Sequence, residues 1–350
     1  MEGTIVKRCL TTAIATLVAA GAFTIAAPAP TDAQDVTELR WATSSVGSSG
    51  HRALVSLMTM LNREMDDYSI TVMPTPGAAA SVRGFATGQF DGYYGADVAF
   101  HEIAGDTGRY EGFRDQIENE LLQSFWTFTL EVGLGVRAED RDDYDGWRDL
   151  GGSPVFTGPA PWDVRAALER GMQILDVGHD YIELDTGLAG SSLAEGTIDG
   201  FIVYTTGGGA PAPWVTEAML ATDVAVLNPS ADEQSILEEN GVALVEIGAD
   251  AFETDIHADE AVLIPFFYGF HVGMNVPEED VYRMLNLVEE HSEELVAADP
   301  GLSQINDDMV DIQVRGIQST GDAARIHPGL ARWLRERDAW DEAWDDRVAD

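Results

Sequence analysis

A run of serine and glycine residues separates a strand-like segment from a helix-like one near the start of the chain. It consists of Ser44, Ser45, Gly47, Ser48 and Ser49. The residues that follow, His51–Met65, have helical spacing, and the free N–H groups and dipole at a helix start favour a bound anion. No lysine follows the glycines and no GxGxxG occurs, so the turn favours a small carboxylate over a nucleotide. The simpler interpretation is a helix cap formed by Ser49.

Two further strand-to-helix turns carry residues suited to a small ligand. Gly77 lies in the first, where the backbone must bend sharply, with Arg83 on the helix behind it. Arg83 lies a turn or more into the helix, which favours a structural ion pair over a ligand contact. The second turn offers a hydroxyl, an open backbone and a flat apolar wall in Thr157, Gly158 and Trp162. Trp162 alone also fits a residue that only packs the helix start.

Two segments of the chain share a similar pattern of residues. They are FDGYYGADVAF and IDGFIVYTTGGGAP. Each has an acid before a glycine and then an aromatic strand that runs into a polar turn. The polar turn residues are Asp97 in the first segment and Tyr204, Thr205 and Thr206 in the second. Each segment alone fits a core strand and a turn, but together they favour strand ends facing one cleft, where open α/β sheets bind small ligands.

The sequence shows few signs of catalytic or metal-binding motifs. Neither G-x-S-x-G nor H-E-x-x-H occurs, and the seven histidines are scattered. The acidic segment around His257, ETDIHADE, favours a solvated loop over a metal site in so acidic a chain. The sequence therefore predicts a binding protein with no cofactor, no metal and no catalytic residue, and a secreted α/β hydrolase is the alternative from another class.

Strand-like and helix-like segments alternate in two similar series. The first runs LRWAT, His51–Met65, SITVMP, Ala79–Thr87 and FDGYYGA, and the second runs SPVFTG, Trp162–Leu175, YIEL, Leu188–Glu195 and IDGFIVYT. This order favours a mainly parallel sheet covered by helices, in two α/β lobes. The long apolar stretch Leu121–Val136 is predicted to cross between the lobes. Helices over Glu278–Ala298 and Gly329–Ala343 are expected to pack back on the first lobe.

Acidic residues dominate the charge of the chain. Its 350 residues carry a formal net charge of -41 at pH 7, and Lys7 is the only lysine. Acids are spread from Asp35 to Asp350, which is typical of a halophile's surface, whereas a patch for a basic partner would form a local run. Nucleic-acid binding is excluded, because nothing here would neutralise a row of phosphates.

The N-terminus has the pattern of a secretory signal. Lys7 and Arg8 precede an uncharged apolar run, Ala13–Ala27, and small residues follow it. We predict a signal peptide over residues 1–33, cleaved near Ala33, and a periplasmic protein that does not span the membrane after cleavage. An uncleaved anchor helix is the alternative, although the run is short for a span. Cleavage would also remove Cys9, the only cysteine.

Several motifs together resemble the TAXI family of solute receptors for TRAP transporters. They are ATSSVGSSG, PGAAASVRGFATGQFDGYYGADVAF, DGFIVYTTGGGAP and HPGLARWLRERDAW, and the likeness covers nearly the whole mature chain. It implies a two-lobed periplasmic-binding-protein fold of type II with a ligand cleft between the lobes. It also implies capture of a small carboxylate, an organic acid or an amino acid such as glutamate, and delivery to a TRAP membrane permease driven by an ion gradient. A receptor for an ABC importer is the alternative within this class.

The resemblance further implies that five regions line the cleft. They are the first Ser/Gly turn, the turn at Gly77 with Ser81, the Asp97 region, the turn at Thr157 and the segment around Tyr204. The chain also departs from these relatives. It has Gly50 and His51 where they often carry aromatic residues, and APWD where they have a Gly/Ser/Thr turn. The resemblance therefore predicts the position of the cleft better than the identity of the ligand. We expect the first lobe over residues 34–125, the second over 126–260, and a return to the first lobe with C-terminal helices over 261–350.

Overall fold

Strands and α-helices alternate through residues 36–350, the part of the chain that the computed structural model describes. The strands are β1 (Thr37–Ala42), β2 (Tyr68–Met73), β3 (Tyr93–Ala96), β4 (Leu122–Gln123), β5 (Trp126–Arg137), β6 (Pro154–Phe156), β7 (Asp180–Tyr181), β8 (Gly200–Thr206), β9 (Ala210–Pro211), β10 (Val224–Leu227), β11 (Val245–Gly248), β12 (Glu260–His271) and β13 (Arg325–Ile326). The α-helices are α1 (Ser49–Glu64), α2 (Ala78–Ala86), α3 (Asp97–Gly105), α4 (Asp163–Ile174), α5 (Ala189–Ala194), α6 (Pro213–Ala221), α7 (Ala231–Glu239), α8 (Glu278–Glu290), α9 (Ser292–Ala298), α10 (Ser303–Thr320) and α11 (Pro328–Arg335).

The long strands β5 and β12 form the centre of the fold. They pair antiparallel, with Trp126–Val132 of one against Ile264–Gly269 of the other. The end of β12 continues beside β3, whereas the end of β5 continues between β8 and β10. Both strands are almost wholly buried, as expected of strands that are covered on both faces. Each therefore passes from one group of elements into the other.

These two groups are the two lobes of the protein. The first lobe contains β1–β3 and α1–α3, with β1 paired parallel to β2 and Trp41 bridged to Gly92 just before β3. The C-terminal helices α8 and α9 contact α1, and α10 contacts α3. The second lobe contains β6–β11 and α4–α7, with β6 paired parallel to both β7 and β8. Together they form one compact unit from Val36 to Asp350. The predicted fold class, α/β in two lobes, is confirmed.

The expectation of a mainly parallel sheet is wrong for the centre of the molecule. The long strands β5 and β12 pair antiparallel with each other and with β3, β8, β10 and β11. A strand–helix rhythm indicates parallel pairing only when consecutive strands lie side by side. Here most neighbours of β5 and β12 come from distant parts of the chain, and the one pair of consecutive strands, β11 and β12, is antiparallel. The alternation of strands and helices therefore does not reveal strand direction.

The predicted helices agree best with the structure where their apolar spacing is regular. α1 begins at Ser49 and buries Leu54, Leu57 and Leu61 on one face, and α4 begins directly after Trp162. The C-terminal predictions are less accurate. The single helix expected over 278–298 is interrupted at His291, and the last predicted helix ends at Arg335. The helices α3, α6, α7 and α10 were not predicted.

One of these unpredicted helices, α10, fixes the start of β5. Gln313 is fully buried; its side-chain oxygen accepts from the N–H of Trp126 at 2.8 Å, and its side-chain nitrogen donates to the Trp126 carbonyl at 2.6 Å. The ladder between β5 and β12 changes register at this point. The glutamine side chain thus supplies the hydrogen bonds that a neighbouring strand would otherwise make.

The predicted signal peptide, its cleavage site near Ala33 and Cys9 all lie outside the described residues. Among residues 36–350, none of the helices is both long enough and apolar enough to cross a membrane.

Candidate functional site

The Ser/Gly run forms the turn between β1 and α1. Ser48, rather than Ser49, is the capping residue, because its Oγ accepts a hydrogen bond from the N–H of His51 at 3.2 Å. Gly47 has a φ of +86°, in the left-handed region that favours glycine. The N–H groups of Ser49 and Gly50 belong to the first helical turn, where a helix offers no acceptor of its own. The start of α1 therefore keeps donors for an anion.

A narrow cleft lies beside this turn, between the two lobes. Its lining residues are Ser44, Ser48, Ser49, Gly50, Ala78, Tyr94, Leu130, Trp162, Val164, Tyr204 and Tyr268. The free volume is about 20 Å³, little more than one water molecule needs. The lobes are closed on each other in this conformation, and a solute of several carbon atoms would enter only after they separate.

Direct contacts join the lobes across the cleft. Ser49 Oγ lies 3.1 Å from Thr206 Oγ1, and Trp162 Nε1 donates to the carbonyl of Pro76 at 3.2 Å. A Cβ atom at Gly77 would lie 2.8 Å from the carbonyl oxygen of Pro161, so only glycine permits this approach. Three of the predicted site residues, Ser49, Gly77 and Trp162, thus lie at one interface.

The second lobe contributes an aromatic wall to the cleft. Tyr204 lies at the end of β8 and accepts a hydrogen bond from Trp214 Nε1 at 3.0 Å. Burial raises the pKa of Tyr204 to about 12, so the hydroxyl stays neutral at ordinary pH. Trp214, which was not predicted, is not among the lining residues and acts on the cleft only through this hydrogen bond to Tyr204. Its position just after the glycine-rich turn was the sequence signal for it.

Three predicted site hydroxyls are bonded within the protein instead of lining the cleft. Ser81 Oγ accepts from the N–H of Tyr94 at 2.9 Å, and Thr157 Oγ1 donates to Glu169 at 2.7 Å. Thr205 Oγ1 donates to the buried carboxylate of Glu131 at 2.5 Å. Side chains alternate along a strand, so Thr205 faces away from the cleft while the residues before and after it face inward.

Ser45 and Gly158 act through their backbones. The carbonyl of Ser45 accepts from the N–H of Ser48 at 3.1 Å and closes the first turn. Gly158 has a φ of +108°, and its carbonyl accepts from the Tyr181 hydroxyl at 3.1 Å. Both residues shape the turns beside the cleft, and neither is among its lining residues.

Asp97 lies at the start of α3, in a different cavity. That cavity, of about 490 Å³, is also lined by Arg170, Arg315 and the β12 residues Pro265–Phe267. Burial raises the pKa of Asp97 to about 6, although the N–H groups of Phe267 and Val98 counteract this effect. The structure therefore does not place Asp97 with the serine turn, and a role in ligand binding stays a prediction.

Sequence reasoning missed a buried ion pair at the lobe interface. Asp163, the first residue of α4, is fully buried and is bonded to Arg109 of the first lobe, whose side chain is 17% exposed. Arg109 also binds Glu102 through Nε at 2.9 Å. Asp163 stands in the motif APWD, and its position next to Trp162 was the available signal.

The described residues hold no arrangement typical of a hydrolase or a metal site. Among residues 36–350, no group of His, Cys, Asp and Glu side chains is positioned to hold a metal ion, and the structure shows no hydrogen bond from a serine hydroxyl to a histidine ring. His257 instead binds Asp223 at 2.7 Å, and that hydrogen bond raises the pKa of His257.

The solved structures to which this chain is similar include ligand-binding proteins. The chain is similar to the periplasmic aliphatic sulphonate binding protein SsuA of Escherichia coli, with a TM-score of 0.47 and 12% identity over 86% of this chain and 90% of that one. It is similar to a probable amino-acid ABC transporter extracellular-binding protein of Bacillus subtilis, with a TM-score of 0.45 and 11% identity over 78% and 99%. It is also similar to a ligand-binding component of an ABC-type import system of Staphylococcus aureus, with a TM-score of 0.46 and 10% identity over 89% and 96%. No family model and no curated protein matches the chain. At these identities and scores, neither a ligand nor a partner transfers to this protein.

Proposed function

We propose that this protein is a periplasmic receptor that captures a small carboxylate and delivers it to the membrane permease of a TRAP transporter. One observation carries the proposal. The serine-lined start of α1 faces Trp162 and Tyr204 across a cleft between two lobes, and the lobes are joined by the long strands β5 and β12. This arrangement suits the capture of a small anion by lobe closure.

The chemistry of the cleft favours a carboxylate with an apolar part. Free N–H groups at the start of α1 and the hydroxyls of Ser44, Ser48 and Ser49 would bind the carboxylate oxygens. Trp162 and Tyr204 would contact the carbon chain. Because so little volume is free when the lobes touch, binding requires an open form that closes around the solute.

A receptor for an ABC importer would use the same cleft and the same closure. The motifs that resemble TAXI receptors favour a TRAP permease as the partner. The genes beside this one decide between the two: a large fused permease supports the TRAP assignment, and an ATPase pair supports the ABC alternative. A hydrolase would instead turn over ester or peptide substrates and lose that turnover on a single serine substitution.

The expected processing and lobe boundaries belong to the same proposal. An exported mature chain would begin near residue 34, followed by lobes divided at about residues 126 and 261. Sequencing the N-terminus of protein recovered from a periplasmic extract tests the first point. A chain that keeps residues 1–33 in that fraction would contradict cleavage.

The direct test is a thermal-shift screen of purified protein in high salt. Monocarboxylates and dicarboxylates are compared with their primary amides, which keep the shape and lose the charge. We expect at least one acid to raise the melting temperature while its amide does not. If no carboxylate shifts the melting temperature, or if amides work as well, the carboxylate assignment is wrong.

A further inference from the structure

The side chains that line the cleft beside α1 carry no charge. Within residues 36–350, the cleft is lined by serine, glycine, alanine, leucine, valine, tyrosine and tryptophan residues, and by no acidic or basic residue. This neutrality contrasts with a chain that holds 61 acidic and 20 strongly basic residues. The N–H groups at the start of α1 suit one negative charge, and no lining side chain balances a second charge of either sign.

Two charged residues lie close to lining residues in the chain and have partners elsewhere. Asp163 follows Trp162, but it is bonded to Arg109 and is not among the residues that line the cleft. Arg52 of α1 also lies outside the lining, with its guanidinium 3.8 Å from the carboxylate of Asp299. Neither charge is therefore presented to a solute in the cleft.

Most of the cleft wall is shielded from water. Five of the lining residues are each only 3% exposed: Tyr94, Leu130, Val164, Tyr204 and Tyr268. An ionised group that leaves water for such surroundings without a partner is strongly disfavoured. The part of a solute that lies against these residues must therefore be uncharged.

The cleft offers a further hydrogen-bond donor rather than an acceptor for a cation. The Tyr204 hydroxyl oxygen accepts from Trp214 Nε1 at 3.0 Å, and the structure shows no acceptor among residues 36–350 for the proton of that hydroxyl. Tyr204 therefore keeps a proton to donate. Donors bind carboxylate oxygens, whereas an ammonium group needs acceptors.

Four aromatic side chains line the cleft, and they favour a flat solute. Tyr94 and Tyr268 stack with ring centroids 4.2 Å apart and an angle of 7°, and Trp162 and Tyr204 complete the set. The space left between the lobes is only about 20 Å³. A flat ring would enter with the smallest separation of the lobes, and aromatic rings gain energy from contact with one another beyond the burial of their area.

We infer that the solute is an aromatic monocarboxylate, with its one carboxylate at the start of α1 and an uncharged ring against Tyr94, Tyr268, Trp162 and Tyr204. This inference rests on the proposed function, since it names the class of carboxylate that the same cleft takes. It excludes dicarboxylates and α-amino acids, and so excludes the glutamate that the resemblance to TAXI receptors implies.

The first experiment compares matched pairs of probes by calorimetry on the unmodified mature protein in high salt. Benzoate and cyclohexanecarboxylate differ in flatness, and we expect benzoate to bind about threefold or more tightly. Terephthalate adds a second carboxylate to benzoate, and phenylalanine adds an ammonium group to 3-phenylpropanoate. Each addition should weaken binding at least about tenfold, because the added charge finds no partner in the cleft.

The second experiment assigns the preference for a flat ring to Trp162, which is half-buried at the edge of the cleft. Trp162→Leu should bring the affinities for benzoate and cyclohexanecarboxylate close to each other. Trp340→Leu is the matched control, since Trp340 is also half-buried but lies outside the lining residues, and it should keep the preference. Circular dichroism checks that both variants are folded, and the comparison of probes on the unmodified protein does not depend on them.

The outcomes separate this inference from the proposed function. If cyclohexanecarboxylate binds as tightly as benzoate, or if terephthalate or phenylalanine binds as tightly as its partner, the aromatic monocarboxylate is wrong and the carboxylate receptor stands. If Trp162→Leu keeps the preference, or Trp340→Leu loses it equally, Trp162 does not contact the ring. If no carboxylate binds at all, both proposals are wrong.

Discussion

The hydroxyl of Ser49 lies 3.1 Å from the hydroxyl of Thr206, so a hydrogen bond joins the start of α1 to the end of β8. The two residues are 157 positions apart in the chain, and both are buried. This contact and that of Trp162 with Pro76 occupy the edges of the cleft. Any solute that enters between the lobes must first break them.

Lobe closure should therefore be visible in solution. Separated lobes have a larger radius of gyration than the closed form described here. We expect the solute-free protein to populate the open form in solution, so a saturating solute should reduce the average radius of gyration without a change of oligomeric state. Small-angle X-ray scattering with and without the best acid from the thermal-shift screen measures this change. Superimposable curves with a tightly bound ligand would show that the lobes do not move.

Changes in the first turn should separate the backbone from the side chain. Gly47→Pro forces a negative φ where the structure has +86°, so it should distort the turn and weaken solute binding strongly. Ser48→Ala removes the cap on His51 and should lower stability by about 1 kcal/mol, with a smaller loss of binding. Calorimetry on the cognate solute measures both, and circular dichroism confirms the fold. Parent-like binding by folded Gly47→Pro would show that the turn is only a helix cap.

Salt should stabilise the protein. Its formal net charge of -41 is spread along the chain, and mutual repulsion of these charges opposes folding. Screening grows as the Debye length falls from about 10 Å at 0.1 M salt to about 3 Å at 1 M. The melting temperature should therefore rise between these concentrations of NaCl and of KCl. A melting temperature that stays constant or falls would contradict the interpretation of the acidic surface as that of a halophile.

Asp97 should make stability depend on pH. Its pKa in the native state is raised to about 6 from an ordinary 3.8, chiefly by burial, so the folded protein binds the proton more tightly than the unfolded chain. Stability is therefore highest below pH 4 as far as this group is concerned, and falls as the pH rises from about 4 to about 6.

A single substitution isolates this effect. Asp97→Asn is uncharged at every pH, so it should stabilise the protein near pH 7.5, by at most about 3 kcal/mol, and the gain should vanish near pH 4. Urea unfolding at the two pH values measures the difference, with the exposed Asp346→Asn as control. An equal effect of Asp97→Asn at both pH values would contradict the raised pKa.

Local patterns in the sequence determined which segments form most of the early elements. Regular apolar spacing marked α1 and α4, and the long apolar stretch before residue 137 marked the crossing strand β5. The turn at Gly47 was also predictable, because serine commonly caps a helix start and glycine adopts the positive φ that such a turn requires. Spacing and turn chemistry act over a few residues, so a single chain segment is enough to reveal them.

Only the tertiary structure decided which side chains share the cleft. Thr205 and Thr206 are equivalent in sequence, but the pairing of β8 with β5 turns Thr205 toward Glu131 and Thr206 toward Ser49. Asp97 was expected at the cleft and lies in another cavity, whereas Asp163 was not expected and lies beside it. The physical reason is that β5 and β12 bring together residues more than fifty positions apart. Contacts at such separations depend on which strands pair and in which direction, and the local pattern of residues does not encode this.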